Sequence, residues 1–262
     1  MSDLSAENVD RYLRRLGLQR DDVSLDLDGL RRLQWTHLTS IPFTNLDVHD
    51  GLPVTTSLDW SIPAVVEGRG GWCFVLNGAF GALLSSLGFE VTSMGALVTM
   101  GGAVSPMDDH LCLKVSLDED WLVDVGFGDA MTRPMLLDSD DILDDVAAGR
   151  RFRLSTGDDG LRQLESELLG PDADSFWRLD YRFALDDRDL EYFSPANDYL
   201  IVTPGLTWTR KRFSTRLTDT GRVTLLEDRI KHTMLHGEDL EVELGDQHAW
   251  EAARRRHLPT PS

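Results

Sequence analysis

The sequence predicts an α+β protein, and three observations carry that reading. Apolar residues recur at helical spacing in the first third, over residues 5–18, 27–38 and 74–87. From residue 89 the texture changes to short β-prone runs separated by Gly, Pro and Asp. The C-terminal part mixes further strand-like runs with a short basic helical stretch over residues 249–256.

Taken in order, Ser5 can cap the first helix, with Glu7 and Asp10 in its opening turns. Val9, Leu13 and Leu16 line one face, and Gly17 supplies a stop. Leu30, Leu33, His37 and Leu38 give the second helix, which Ile41-Pro42-Phe43 breaks, because the residue before a proline avoids the α region. Gly68, Gly70 and Gly71 make a tight turn just ahead of Cys73. An apolar helix follows over residues 74–87 and ends at Gly88, so Cys73 is expected at or near a helix N-terminus. Strand-like runs cover residues 89–99, 111–117 and 121–125. The acidic stretch 138–145 reads as solvated loop or the start of a helix. Residues 176–192 and 199–226 again read as strands, with a turn at Asp219-Thr220-Gly221, and Pro259 and Pro261 end regular order. Internal repeats and low-complexity tracts are absent from the sequence.

At 262 residues the chain is long enough to bury a sizeable core. Twenty-six basic against 45 acidic residues leave a net charge of −19, a field that repels phosphate backbones and argues against nucleic-acid binding. A local nest of backbone N–H groups or a few arginines can still hold an anionic ligand. Two cysteines, Cys73 and Cys112, do not make a disulfide framework. No secretory signal is visible and no apolar run approaches a membrane span, so a cytoplasmic protein is expected.

Three segments hold the residue types of nucleophilic catalysis: RGGWCFVLNGAF at 69–80, DDHLCLKV at 108–115 and WLVDVGFGD at 121–129. A thiol attacks as thiolate, and a helix N-terminus favours that form. An imidazole can take the proton, while a carboxylate fixes the imidazole and stabilises its charged state. His110 opens one expected strand and Asp124 ends the next, so antiparallel pairing would set them side by side. Each residue also has a plain use: a buried small hydrophobe, a structural histidine, a turn aspartate. Residue chemistry alone leaves both readings open. Cys112, two residues along the strand from His110, reads as a packed, inert thiol. Zinc wants about four ligands at short spacings, and this set does not supply them, so no metal is expected. The glycines at 68, 70 and 71 do not form a phosphate-binding or dinucleotide fingerprint.

In order along the chain, YLRRLGL at 12–18, HLTSIPFTNLD at 37–47, RGGWCF at 69–74 with Leu76 and Asn77, His110-Leu111 and DVGFG at 124–128 resemble the arylamine N-acetyltransferase family. Asn197-Asp198-Tyr199, Thr203-Pro204, Arg216-Leu217-Thr218 and Gly221-Arg222 echo its later segment more weakly. The resemblance implies a helical bundle over 1–88 carrying the nucleophile, a β-barrel over 89–195 carrying His and Asp, and an α/β lid over 196–262. It implies a core shared with papain-like and transglutaminase-like cysteine enzymes. It implies catalytic Cys73, His110 and Asp124, and substrate-binding Phe43 and Phe127 as an aromatic wall. Acetyl-CoA is then the acyl donor, not a permanently bound cofactor, and the acceptor is a small-molecule arylamine or arylhydrazine. Neither nucleic acid nor membrane is an implied partner, and no oligomeric state is implied. The alternatives on this scaffold are an amide synthase that releases a polyketide thioester as a macrolactam, and a cysteine hydrolase. Three positions depart from the family pattern: Thr44 in place of glutamate, Val75 in place of glutamate or glutamine, and Asp109 in place of a small or threonine-like residue. Asp109 is expected to raise the proton affinity of His110 and, if it faces coenzyme A, to repel the phosphates.

Overall fold

The computed structural model describes residues 3–100, 102–169 and 176–258; Pro259 and Pro261 lie outside them. Helix α1 (Ala6–Arg15) starts where Ser5 accepts the Asn8 N–H, and the chain leaves it through Gly17 at φ +73°. Helix α2 (Leu27–Ser40), capped by Asp26, runs two residues past its expected end before Ile41-Pro42 stops it. A short strand β1 (Phe43–Thr44) and a single turn α3 (Leu46–His49) follow. Helix α4 (Leu58–Val66), capped by Ser57, adds to the sequence reading; Pro63 in its second turn hides it. Helix α5 (Cys73–Leu87) ends at left-handed Gly88, as expected.

The sheet region comprises β2 (Glu90–Met100), β3 (Ala103–Val104), β4 (His110–Ser116), β5 (Asp120–Val123), β6 (Met135–Leu136), β7 (Leu143–Asp145), β8 (Arg150–Thr156), β9 (Arg162–Leu168) and β10 (Arg178–Phe183). Their order in one antiparallel sheet is β6-β5-β4-β2-β10-β9-β8-β7, with β3 on β2. The ends of this sheet curl toward each other. Thr132, just before β6, donates its N–H (2.6 Å) and hydroxyl (2.9 Å) to the carboxylate of Asp145 in β7. Asp145 is therefore buried and fully used, and residues 138–145 are neither wholly solvated loop nor helix.

After β10 the expected strand over 176–192 gives way to loop and a short 3₁₀ turn. Helices α6 (Ser194–Val202) and α7 (Thr207–Arg210) then replace the start of the expected 199–226 strand. Pro195 in the first turn is preorganised for a helix, and Ala196, Asn197 and Leu200 bury one helical face. Strands β11 (Ser214–Thr218), β12 (Gly221–Leu225), β13 (Arg229–Met234) and β14 (Leu240–Glu243) form a second sheet, and α8 (Gln247–His257) closes the chain. The turn between β11 and β12 falls where Asp219-Thr220-Gly221 predicts it. This sheet is ordered β1-β11-β12-β13-β14, so the segment ahead of α5 supplies its first strand.

Helix α5 is buried on every side over its first twelve residues, packed between α1 and α4 on one flank and β2 and β4 on the other. Leu111, Leu113 and Val115 face it from β4. The opposite face of the curled sheet holds a second core of Met94, Cys112, Leu122, Phe152, Leu164 and Phe183. Each such fully buried side chain contributes about 1.5–3 kcal/mol relative to exposure. The Cys73 end of α5 is thereby fixed against the end of β4 that starts with His110.

Candidate active site

Cys73 is the first residue of α5, and Trp72 precedes it without a side-chain cap. The N–H groups of the first turn thus keep free hydrogen-bonding capacity beside the thiol. The turn is held from outside: Phe43 bridges Gly71, and Thr44 donates its N–H to the Gly71 carbonyl at 2.9 Å. Gly70 has φ +79° and backs onto the Pro42 carbonyl, where a Cβ would collide. Trp72 donates its indole N–H to Asn197 on α6, whose amide in turn reaches the Val54 carbonyl.

His110 Nε2 lies 2.7 Å from Asp124 Oδ2, and both side chains are almost wholly buried. The register pairs Leu113 with Val123, so Asp124 stands just past β5, diagonal to His110 and not directly opposite it. The diagonal keeps both on one face of the sheet, within side-chain reach. Asp124 accepts four hydrogen bonds: from His110, from the Tyr181 hydroxyl at 3.1 Å, from Asn77 Nδ2 at 2.9 Å and from the Gly126 N–H at 2.8 Å. Burial works against its charge, yet His110, Asn77 and Gly126 outweigh that and hold the carboxyl below the usual range. At His110 burial likewise disfavours the cation. The Asp124 charge and hydrogen bond, joined by a hydrogen bond to the Cys73 thiol, overcome it and raise the proton affinity of the ring. With Nε2 engaged by Asp124, Nδ1 is the nitrogen left for the thiol. Tyr181 is held as a phenol, chiefly by burial.

Asn77 sits one helical turn after Cys73 and clamps three elements. Its amide N–H₂ reaches the Leu111 carbonyl (2.6 Å) as well as Asp124, and its oxygen accepts the Val125 N–H (2.9 Å). Gln34 on α2 adds a weaker contact to the Asp124 carbonyl. Gly126 is pressed on the backbone of α5: a Cβ there would lie 2.7 Å from the Cys73 Cα.

Cys73 and His110 open onto a cavity of about 370 Å³, and Asp124 lies behind His110. Phe43 and Phe127 both line it, together with Trp72 and Trp208. Phe127 meets the His110 ring edge-on at 5.3 Å between centroids, and Phe43 meets Trp208 at 5.7 Å. Gly128, at φ +86°, leaves room for the Phe43 ring. A larger groove of about 810 Å³ between α1, α4 and residues 187–191 is rimmed by acids and does not reach Cys73. Cys112 is fully buried, and burial pushes its thiol proton affinity up, so it stays a packed thiol. The carboxylate of Asp109 accepts the Val98 N–H at 3.0 Å, and its carbonyl faces the Cys73 sulfur. Burial raises its proton affinity against these bonds and the nearby His110, whose own raised affinity comes from Asp124 and Cys73. The Thr44 hydroxyl donates to the Phe213 carbonyl and accepts the Leu46 N–H.

Sequence reasoning did not assign Asn77, Tyr181, Trp208 or Gln34. Asn77 carried a signal, as the lone amide on an apolar helix one turn from a cysteine. Trp208 and Tyr181 carried none, because their approach depends on tertiary pairing. Among the described residues no cluster of His, Cys, Asp and Glu is arranged to hold a metal ion, and no helix is long and apolar enough to cross a membrane.

Residues 26–258 match the N-acetyltransferase family model. The chain is 30% identical to arylamine N-acetyltransferase 1 of Homo sapiens over 88% of its own length and 85% of that protein's. It is 33% identical to an arylamine N-acetyltransferase of Escherichia coli over 80% of its length and 74% of that protein's. An arylamine N-acetyltransferase from Salmonella typhimurium superposes with a TM-score of 0.86, covering 99% of this chain and 92% of the other at 24% identity, which shows a shared fold.

Proposed function

The chain belongs to the arylamine N-acetyltransferase family, and from that premise we propose that it moves an acetyl group from acetyl-CoA to an arylamine nitrogen through an acyl-enzyme on Cys73. The observation that carries the proposal is the pairing of a buried, raised-affinity imidazole with a saturated carboxylate, beside a thiol at a helix N-terminus.

In the first half-reaction the Cys73 proton passes to His110 Nδ1 and the thiolate attacks the thioester carbonyl carbon. Negative charge gathers on the carbonyl oxygen, where the uncapped N–H groups of the first turn of α5 can stabilise it. The C–S bond to coenzyme A then breaks, and its sulfur takes the proton back from His110. In the second half-reaction the amine nitrogen attacks the acetyl carbon on Cys73 and gives its proton to His110. Collapse releases the amide and returns Cys73 as a thiol. Asp124 holds the ring and offsets its positive charge without taking the proton. The flat cavity walls of Phe43, Phe127, Trp72 and Trp208 suit an aryl ring, which gains from edge-on and offset contacts.

The three-part division at 1–88, 89–195 and 196–262 belongs to the same proposal. The helical part brings the thiol, the curled sheet brings the imidazole and carboxylate, and the last part brings Trp208 over the cavity. A papain-like arrangement of the core, a cytoplasmic location and small molecules as the working partners complete the reading. The family relatives favour neither release of a tethered polyketide nor simple hydrolysis. Intact-protein mass spectrometry after acetyl-CoA alone is the test. A gain of one acetyl group, lost in Cys73→Ala, is expected; no gain on the wild-type chain would overturn the assignment.

A further inference from the structure

One carboxylate on the cavity wall has no arginine or lysine to answer it. Asp109 lines the cavity beside Cys73 and His110 and is partly exposed. The sheet fixes its place. Register pairs Ala96 of β2 with His110 of β4, and Thr99 with Val104 of β3, which leaves Val98 between the two partners. The Val98 carbonyl takes the Ser105 N–H at 2.9 Å, and its own N–H donates to Asp109 Oδ1 at 3.0 Å. The Ser105 hydroxyl adds a further bond to the carboxylate. The Asp109 carbonyl stands 3.7 Å from the Cys73 sulfur, so this side chain is anchored next to the reacting centre. The other acids that line the cavity are paired with cations. Asp129 meets Arg150 at 2.8 Å and Arg222 at 3.9 Å. Asp180 meets Arg178 at 2.7 Å, supported by Ser166 and the nearby Arg150. Among the described residues no arginine or lysine pairs with Asp109. The charged group that acts on it is the His110 ring, and that ring must be neutral to take the proton of the acceptor.

Burial disfavours the Asp109 charge more than these bonds favour it, so a cation entering the cavity meets negative charge that lacks a counter-charge. The remaining walls point the same way. Phe43, Trp72, Phe127 and Trp208 line the cavity, and aromatic faces attract a desolvated cation, quaternary ammonium groups among them. We infer that Asp109 is a specificity residue for the acceptor, selecting arylamines that carry a fixed positive charge on a short side arm over neutral ones of the same shape. The carboxylate stands where the family pattern has a small or threonine-like residue, so the preference belongs to this chain and not to the fold. The inference rests on the acetyltransferase reading of the same cavity. Asp109 here selects the acceptor and takes no proton in acyl transfer.

The experiment compares (4-aminobenzyl)trimethylammonium with 4-neopentylaniline, which has the same shape, one acylable nitrogen and no charge. The readout is the ratio of their kcat/KM values with acetyl-CoA, which cancels general damage to the enzyme. Asp109→Asn keeps an oxygen for the Val98 N–H and removes the charge. Asp28→Asn removes one charge from an exposed side chain of α2 outside the cavity lining and reports on the field of the whole protein. The ratio is expected to fall at least about fivefold in Asp109→Asn and to hold its wild-type value in Asp28→Asn. An unchanged ratio in Asp109→Asn overturns the inference. So does an equal fall in Asp28→Asn, since net charge would then be the cause. If Asp109→Asn does not fold, Asp109→Thr, the residue type of the family pattern, decides on the same ratio. A wild-type acetyl-Cys73 that the neutral aniline discharges and the cationic one does not sinks the specificity and leaves the acetyltransferase reading standing. Absence of acetyl-Cys73 sinks both.

Discussion

Replacing Asn77 by alanine removes the clamp between the nucleophile helix and the strands that carry its partners. Three buried hydrogen bonds go at once, to the Leu111 carbonyl, Asp124 Oδ1 and the Val125 N–H. Asp124 keeps three donors, so its loss is partial. The Leu111 carbonyl and the Val125 N–H lose these partners while staying buried. An orphaned buried group costs about 1–3 kcal/mol, which puts the variant about 2–6 kcal/mol below wild type. That is a large share of the roughly 5–15 kcal/mol that holds a domain folded. By comparison Tyr181→Phe removes one of four donors to Asp124 and should cost about 1 kcal/mol. The clamp also sets the distance between thiol and imidazole, and a misplacement on the order of 1 Å slows a positioned reaction about 100-fold. Urea unfolding gives the first quantity, and the rate of acetyl-Cys73 formation gives the second. A stability loss under about 1 kcal/mol together with an unaltered acylation rate would refute the clamp.

Gly126→Ala places a methyl group 2.7 Å from the Cys73 Cα and the Asn77 amide, so α5 must back away. Acetyl-enzyme formation in stopped flow should slow by roughly tenfold or more, and a wild-type rate would contradict the close approach. The raised proton affinity of His110 ties stability to pH. A group whose folded pKa is raised gives stability that is complete below its unfolded value, about 6.5, and lost as pH climbs through the folded value, about 10. Urea midpoints of the wild type should therefore decline across that window more steeply than those of His110→Gln, and parallel profiles would rule this out. Iodoacetamide on the native protein should label Cys73 and leave Cys112 unmodified until denaturant is added; peptide mapping that finds Cys112 labelled first would disprove its packed role.

Where local chemistry decides an element, the sequence reads correctly. Ser5 and Gly17 bound α1, and Gly88 ends α5, because capping and left-handed backbone are properties of single residues. Cys73 opens a helix for the same reason: a glycine turn precedes an unbroken apolar run. Where tertiary packing decides, the reading fails. Residues 194–202 end in Ile201-Val202, a β-prone pair, yet they form α6 because Ala196, Asn197 and Leu200 bury one helical face and Asn197 anchors Trp72. The acidic run 138–145 looked solvated, but Asp145 is drawn inward by the N–H and hydroxyl of Thr132, a partner that composition does not reveal. The β8–β9 hairpin escaped notice because its inward positions are few, chiefly Phe152, Leu154 and Leu164, among arginines and acids.

Cys73 and Cys112 show how position makes a reactive group. Both side chains are buried, Cys112 within the field of Asp124 and Cys73 beside His110. Cys112 is enclosed on the inner face of β4 with the Met94 carbonyl 3.9 Å from its sulfur and the Asp124 charge nearby, so removing its proton would strand an anion in a buried, already negative setting. Cys73 stands at the mouth of a cavity, with the first-turn N–H groups on one side and the His110 ring on the other. An imidazole already biased toward its charged form by a fully hydrogen-bonded carboxylate is the counter-ion that a thiolate needs. The same bias would be wasted without the diagonal register that holds Asp124 on the face of His110, and that register is fixed by the apolar pairs of β4 and β5. The reactivity of the thiol thus depends on ordinary sheet packing several residues away. Substitutions that shift the β4–β5 register should then abolish labelling of Cys73 before they unfold the chain.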